Sequence, residues 1–394
     1  MPSVTASADY ALQHLIDPEV CIRCNTCEAT CPVGAVTHDS RNYVVDFAKC
    51  NGCNACIPPC PTGAIAHWHR VQKAAPYTLD DQLSWDTLPP PADLEINAQS
   101  DVPSDVRQLT EIATAGQGGP ASPPWSASHP YVNLYSQDKP AIATVTGNFR
   151  LTADGASADV RHIVLDFGTT AFPVLEGQTL GILPPGVDAS GRPHHVRLYS
   201  VASPRDGERP RYNNVALTVK RVNENHQGEP VSGVCSNYLC DLAEGASVKF
   251  HGPHGYFTLK NPIRDSVFIG TGTGIAPLRG MVQHLFADPI RHEGHQFWLV
   301  FGVRNREDLY YNDEFLQLER ENPNFHYIPT LSRPGHDWTG ARGYVQDHVR
   351  EIVKDRRDMD AYICGMKHMV TANRDLLVKE KNWDRKSVLY ERYD

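Results

Sequence analysis

The sequence predicts a multidomain α+β chain of three folding units, and three observations carry that expectation. Residues 21–61 contain two cysteine runs of identical spacing, residues 140–262 read as short strands separated by Gly and Pro, and residues 263–394 alternate strand-like with helical stretches. At 394 residues the chain is longer than one ordinary core requires.

Cys21, Cys24, Cys27 and Cys31, followed by Pro32, give the spacing C-x2-C-x2-C-x3-C-P, and Cys50, Cys53, Cys56 and Cys60, followed by Pro61, repeat it. Closely spaced thiolates of this kind wrap one corner of an iron-sulfur cubane, while the fourth is carried across to a neighbouring cluster. Cys21, Cys24, Cys27 and Cys60 are therefore expected to hold one 4Fe-4S cluster, and Cys50, Cys53, Cys56 and Cys31 the other. A disulfide framework or paired zinc sites also use closely spaced cysteines, but neither needs the third cysteine and the trailing proline in both runs. Residues 14–70 resemble the bacterial-type two-cluster ferredoxins, which implies that residues 1–70 form a ferredoxin module relaying single electrons.

Three cysteines remain, Cys235, Cys240 and Cys364, an odd number that argues against a structural disulfide set. The net charge of -9 disfavours general nucleic-acid binding and suits a soluble protein. No apolar run approaches the span of a bilayer, and the N-terminal stretch lacks the basic start and hydrophobic core of a signal peptide. The expected location is the reducing cytoplasm, with neither a membrane nor a nucleic acid as partner.

Residues 71–139 are rich in Pro, Ala, Ser, Gln and Gly, with three prolines at 89–91, and read as a linker carrying one short helix near 101–114. Two arrangements fit that composition: a tether that lets the cysteine-rich module swing, or a packed wrap that fixes one geometry.

From 140 to 262, runs such as AIATVTGNF, HIVLDFG, NNVALTVKRV and ASVKFHG suggest an antiparallel β-barrel. Within it, RLYS (Arg197 to Ser200), VKRV (Val219 to Val222) and GVCSNYLCDL (Gly233 to Leu242) resemble the plant-type ferredoxin-NADP reductase family. An Arg supplies a forked donor for phosphate, a Tyr offers a flat face to a flavin ring, and a small hydroxyl fits beside the reactive nitrogen. The resemblance implies bound FAD, with Arg197 on the pyrophosphate, Tyr199 against the isoalloxazine and Ser200 near N5. It further implies contacts from Lys220 and a phosphate-receiving helix opened by Gly233, Val234, Cys235 and Ser236. Just after VKR, where many family members place an aromatic residue, this chain has Asn223 and Glu224, so the adenosine half is expected to be held more loosely.

From 263 to 394, SVFIGTG, HQFWLVFGV, FHYIPTLS and DMDAYICG read as strands of a parallel sheet, with helices between them and ligands at the carboxyl ends of the strands. The turn Gly270 to Pro277, with Gly272, Thr273, Gly274 and Pro277, suits backbone approach to a pyrophosphate; such a turn also serves purely structural ends. It resembles the reductase family's version of that motif. By the same resemblance, Ser332, Arg333, Arg342 and Tyr344 form a pocket for the 2′-phosphate and adenine of NADPH, although the two arginines also suit a solvated surface. YICGMK matches the family's Y-x-C-G-x-K, which implies that Cys364 and Gly365 pack beside the nicotinamide. YERYD resembles the family's terminal E-x-aromatic, which assigns Glu391 to the proton or electron path and Tyr393 to the flavin face, with Tyr390 as the alternative because Asp394 extends the chain.

NADPH gives up two electrons together as hydride, an iron-sulfur cluster takes one at a time, and FAD can do both. The fusion of a two-cluster ferredoxin with such a reductase resembles the reductase components of benzoyl-CoA 2,3-epoxidase systems. That implies a separate di-iron oxygenase as electron acceptor in aerobic degradation of an aromatic compound. No pair of E-x-x-H helices is present to build a di-iron site in this chain. Two other readings stay open: a general NADPH:ferredoxin oxidoreductase, and an electron-relay scaffold without hydride chemistry, against which the Ser200, Cys364 and Glu391 set weighs.

Overall fold

The computed structural model describes residues 10–19, 21–53, 55–57, 60, 64–65, 67–89, 130–208, 213–224 and 229–393. Pro61, Asp394, the helix expected near 101–114 and most of the expected linker lie outside them.

In the first unit, β1 (Tyr10–Leu15) pairs antiparallel with β4 (His67–Gln72), and between them in sequence come α1 (Thr26–Thr30) and a hairpin of β2 (Val36–His38) with β3 (Tyr43–Val45). Elements this short bury little. Ile16, Val36, Val45, Ile57 and Ile65 share a small core with Cys27 and Cys56, and a core of that size ordinarily needs metal or cross-links to hold it. The cysteines are thus part of the packing.

The expected linker begins as structured chain. After β4, α2 (Leu79–Ser84) starts with a capping box in which Thr78 and Asp81 satisfy each other's backbone N–H groups. The buried Gln82 side chain exchanges hydrogen bonds with the main chain of Val45 on both its N–H and its carbonyl, and Asn42 donates to the carbonyls of Leu83 and Trp85. Residues 77–85 therefore wrap the module. At the other end of the segment, Asn133 and Tyr135 donate from their backbone N–H groups to Pro253 and Gly252 of the barrel.

The second unit is a six-stranded antiparallel barrel of β5 (Ala141–Arg150), β6 (Val160–Asp166), β7 (Thr179–Leu183), β8 (Arg197–Ser200), β9 (Asn214–Lys220) and β10 (Ser247–His254), in the order β8-β7-β10-β5-β6-β9. A bridge between Val201 and Leu217, with the Ala202 N–H donating to Ala216, closes the ends against each other. Alternate residues of β5 point inward, as its period of two requires, and Phe167, Phe172 and Phe250 fill the interior. Helix α3 (Val234–Asp241) packs Leu239 and Cys240 into the same core.

In the third unit every strand pair is parallel, in the order β14 (Ala341–Arg342), β13 (Phe325–Leu331), β12 (Phe297–Val303), β11 (Ser266–Thr271), β15 (Asp360–Met366), β16 (Val388–Tyr393). Helices α4 (Ile275–Phe286), α5 (Pro289–His292), α6 (Asn312–Glu321), α7 (Val345–Val353) and α8 (Lys367–Asp375) connect them. Phe268, Leu299 and Phe301 face one apolar cluster and Val267, Ile269 and Val300 the other, because a sheet covered on both sides must bury both faces. The chain runs outward from β11 to β14 and then crosses to β15 and β16. The crevice at the carboxyl ends of β11 and β15 is therefore the topological switch point, where such sheets bind ligands. Strands β14 and β16 were not among those read from sequence. β16 is an edge strand that mixes Val388 and Leu389 with two charged residues and two tyrosines, without the continuous apolar run that identifies the central strands.

Candidate functional site

Strand β8 brings the barrel to that crevice. Ser200, its last residue, is buried, and its hydroxyl donates to Glu391 Oε2 at 3.0 Å while standing 2.8 Å from the hydroxyl of Tyr393. Glu391 and Tyr393 come from β16, in which Glu391 lies opposite Cys364 of β15. The Tyr393 hydroxyl also reaches the Cys364 thiol. Burial and the neighbouring Glu391 push that thiol far above its ordinary range, so Cys364 is a neutral thiol rather than a nucleophile. Burial raises Glu391 to about 7 against the opposing hydrogen bond from Ser200, so this acid changes charge near neutrality. The structure thus brings Ser200, Cys364, Glu391 and Tyr393 together from three strands. Tyr390 is exposed, with the Arg374 guanidinium 5.9 Å from its ring centre.

The glycine-rich turn lies against the same group. A Cβ on Gly274 would meet the Cys364 carbonyl oxygen at 2.2 Å, and one on Gly365 would meet Thr271 Oγ1 at 2.4 Å. Only glycines let the turn seat directly on the end of β15. Gly272 has φ +55, with nothing within 4 Å of where its Cβ would be, and it opens the turn that runs through Thr273 into α4, where Pro277 is buried. Thr271 Oγ1 is buried with no hydrogen-bond partner among the described residues.

Tyr199 packs on the barrel core and meets the Cys235 thiol, which burial pushes up to about 11. Gly233 caps α3, and a Cβ there would meet Val222 at 2.7 Å. The Ser236 hydroxyl donates to the Gly233 carbonyl and accepts from the Val222 N–H. Arg197 and Lys220 are exposed, as is Val234. The Asn223 carbonyl accepts from Val231, and Glu224 bridges Pro230. Ser332 and Arg333 lie exposed just beyond the carboxyl end of β13, and Arg342, the last residue of β14, and Tyr344, two residues on, are exposed as well. Among the described residues neither Arg333 nor Arg342 is ion-paired, although Arg342 donates through one terminal nitrogen to the Gly335 and Trp338 carbonyls; both keep N–H groups for an anion.

In the first unit, one cavity is lined by Cys21, Cys24, Cys27 and Cys60, and a second by Cys31, Cys50, Cys53 and Cys56. The grouping follows the crossed assignment, with Cys31 and Cys60 exchanged between runs. All eleven cysteines are free thiols. Among the described residues no set of His, Cys, Asp or Glu is gathered tightly enough for a single metal ion. Four thiols lining one cavity suit a cubane, whose corners hold them farther apart than a single ion does.

Several contributors were not read from sequence. Leu198, between two expected cofactor residues, packs against the core of the cysteine module, and Arg392 donates to the Thr30 hydroxyl of α1. Arg279, buried on α4, donates to Glu208 at 2.8 and 2.9 Å, to Glu314 at 3.0 Å and to the Ala202 carbonyl at 2.8 Å, which fastens the parallel-sheet unit to the barrel. Gly280 beside it lets the helix approach the backbone of Ser203, since a Cβ there would meet that carbonyl oxygen at 2.6 Å. The only sequence signal for either residue was its place on a predicted helix.

Comparison with known proteins bears on this geometry at both ends of the chain. Residues 20–65 match the 4Fe-4S dicluster domain family and residues 268–375 the oxidoreductase NAD-binding domain family. The root-type ferredoxin--NADP reductase of Nicotiana tabacum is 34% identical over 342 residues, covering 80% of this chain and 89% of that protein. This chain belongs to the ferredoxin--NADP reductase family. The Synechocystis member is 37% identical over 252 residues, and the match spans 60% of its length. Among solved structures, a Plasmodium falciparum ferredoxin-NADP+ reductase shares the fold, with a TM-score of 0.54 at 24% identity over 66% of this chain and 99% of that one. A cytochrome P450 reductase from Amycolatopsis matches with a TM-score of 0.53 at 27% identity, covering 68% and 72%. The family binds FAD and NADP, and the dicluster domain carries iron-sulfur clusters. The residues described above have the chemistry those groups need. In this chain the cluster module and the reductase unit lie on one polypeptide.

Proposed function

We propose that the chain is an NADPH-dependent reductase that passes electrons by way of FAD and two 4Fe-4S clusters to a separate di-iron oxygenase that epoxidises benzoyl-CoA. The observation that carries the reductase reading is the packing of Leu198, two residues before Ser200, on the core that holds the cysteines. One chain thereby places a hydride-handling site beside a one-electron relay. Bound FAD would supply the conversion of one hydride into two single electrons.

The residues divide the work. Arg333 and Arg342, with Ser332 and Tyr344, hold the 2′-phosphate end of NADPH, and the turn at Gly272, Thr273, Gly274 and Pro277 receives its pyrophosphate. Cys364 and Gly365 shape the nicotinamide seat, and Tyr393 must swing off Ser200 to admit it, a gating movement. Ser200 orients the hydride-accepting edge. Glu391 holds or releases a proton at its carboxylate near pH 7. Arg197, Tyr199, Lys220 and the opening of α3 at Gly233, Val234, Cys235 and Ser236 hold the flavin. Cys21, Cys24, Cys27 and Cys60 bind one cluster, and Cys31, Cys50, Cys53 and Cys56 the other. A likeness to a reductase named for an oxygenase, a cytochrome P450, supports an oxygenase as acceptor. The choice of benzoyl-CoA rests on the order of the units. NADPH consumption by the purified holoprotein should accelerate when a benzoyl-CoA-epoxidising di-iron protein and benzoyl-CoA are added. If simple ferredoxins are reduced equally well and the di-iron protein has no effect, the general NADPH:ferredoxin oxidoreductase reading takes its place.

A further inference from the structure

The two cysteine sets do not meet the flavin-side barrel alike. Strand β8 runs from Arg197 to Ser200, and contacts from the chain around Cys31, Cys50 and Cys53 gather toward its Ser200 end. Arg392, next to Glu391, donates to Thr30, the residue before Cys31. Beside the loop at Gly52, a Cβ would come within 3.8 Å of Asn133 Nδ2, in the segment whose backbone hydrogen-bonds to the barrel at Pro253. Asn133 Oδ1 accepts the Nδ1 proton of His254 at 2.8 Å, and in the sheet His254 pairs with Thr179, which pairs with Ser200. Tyr256 is within electrostatic reach of Cys53.

The other set is felt ahead of that strand, two residues before Arg197. The Cys21 N–H donates to Asp17 at 3.1 Å, and Asp17 is within electrostatic reach of His195. Both cavities border solvent, at Ile22 and at Val33, but only this one has an exposed cysteine, Cys24, whereas Cys31, Cys50 and Cys53 are half-buried and Cys56 buried.

Between Cys56 and β8 lies a file of buried imidazoles. His14, stacked on Trp68 at 4.2 Å, has Nδ1 3.9 Å from Cys56 Sγ and stands within electrostatic reach of His254. His254 Nε2 accepts from His251 Nδ1 at 2.7 Å. The His251 ring lies over Gly181, where a Cβ would fall 2.1 Å from its Nε2, and Gly181 pairs with Leu198. Burial holds His251 down at about 3 and His254 well below its ordinary range, so both rings are neutral and add no charge to the path.

Resting on the reductase reading, we propose that electrons pass from the flavin site first into the cluster of Cys31, Cys50, Cys53 and Cys56. From there they pass to the cluster of Cys21, Cys24, Cys27 and Cys60, which serves the external acceptor. Each step oxidises the donor by one electron and reduces the acceptor cluster by one. No bond forms or breaks in the transfer between clusters, NADPH supplies the electrons, and the proton lost on flavin reoxidation goes to solvent.

The test compares anaerobically reconstituted full-length Cys24→Ala and Cys53→Ala chains, each mixed with NADPH and frozen at intervals for electron paramagnetic resonance. Dithionite reduction beforehand establishes that each retains one cluster. The remaining cluster of Cys24→Ala should be reduced as fast as the first phase in the parent, and that of Cys53→Ala several-fold slower. Equal rates, or the reverse order, would overturn the assignment. Should either alanine chain fail to keep its remaining cluster, Cys24→Ser and Cys53→Ser retain a ligand oxygen. They mark each signal in the intact pair, and the signal altered by Cys53→Ser must then appear first. An unbleached flavin in the parent chain would instead remove the reductase reading itself.

Discussion

Removing the Arg333 guanidinium probes the 2′-phosphate pocket with little collateral change. The side chain is exposed and, among the described residues, makes no ion pair, whereas Arg342 also donates to the Trp338 carbonyl and so helps hold the 335–338 turn. A hydrogen bond to a charged group contributes about 1.5–3 kcal/mol, and solvent screening puts an exposed one at the lower end. Because about 1.4 kcal/mol corresponds to one decade, Arg333→Ala should raise the KM for NADPH about tenfold. NADH has no 2′-phosphate to lose, so its KM should stay as in the parent chain. Steady-state oxidation of both nucleotides, with ferricyanide as acceptor, measures the two constants side by side. A parallel loss for both nucleotides, or no change for either, would refute the assignment of this pocket.

Other consequences follow from the same geometry. With Glu391 raised to about 7, its carboxyl is protonated below that pH and charged above it, so flavin bleaching by NADPH should show an inflection near pH 7. Glu391→Gln mimics the protonated acid and should give a flat profile; an inflection that persists would exonerate Glu391. The sign for stability is the same: the raised acid favours the folded chain at low pH, and that contribution is lost as pH rises from its ordinary value through about 7. The double variant Cys31→Ala with Cys50→Ala strikes one cluster under the crossed grouping and both under a run-by-run grouping. Iron analysis should therefore find about four irons per chain rather than none. Arg279→Leu removes the guanidinium that pairs Glu208 and Glu314 and donates to the Ala202 carbonyl at the seam between the barrel and the parallel sheet, leaving Glu208 its longer contact with His162, and should cost about 3–5 kcal/mol in denaturant titration. A loss below that range would mean the seam does not depend on the ion pair.

The cysteine spacing, the barrel strands and the four central parallel strands were legible because each rests on local chemistry: ligand geometry, a period of two, or an apolar run. Ser200, Cys364, Glu391 and Tyr393 were legible only through resemblance, since nothing local to RLYS or YERYD says that they meet across three strands. Tyr393 could be told from Tyr390 only by register, because β16 aligns Glu391 with Cys364 and turns Tyr390 outward. Arg279 looked like one more charge on a helix, and the glutamates that neutralise it come from residues 208 and 314, distant in sequence. The wrap of α2 was obscured by composition: Pro- and Ala-rich surroundings hid Gln82, whose role depends on the Val45 backbone.

Anaerobic mixing of the flavin- and iron-loaded chain with NADPH, followed in one experiment by flavin absorbance and cluster paramagnetism, addresses the central claim most directly. Bleaching of the flavin followed by the appearance of reduced cubane signals is the outcome required. A flavin that bleaches completely while both cubanes stay oxidised would show that the two halves do not exchange electrons.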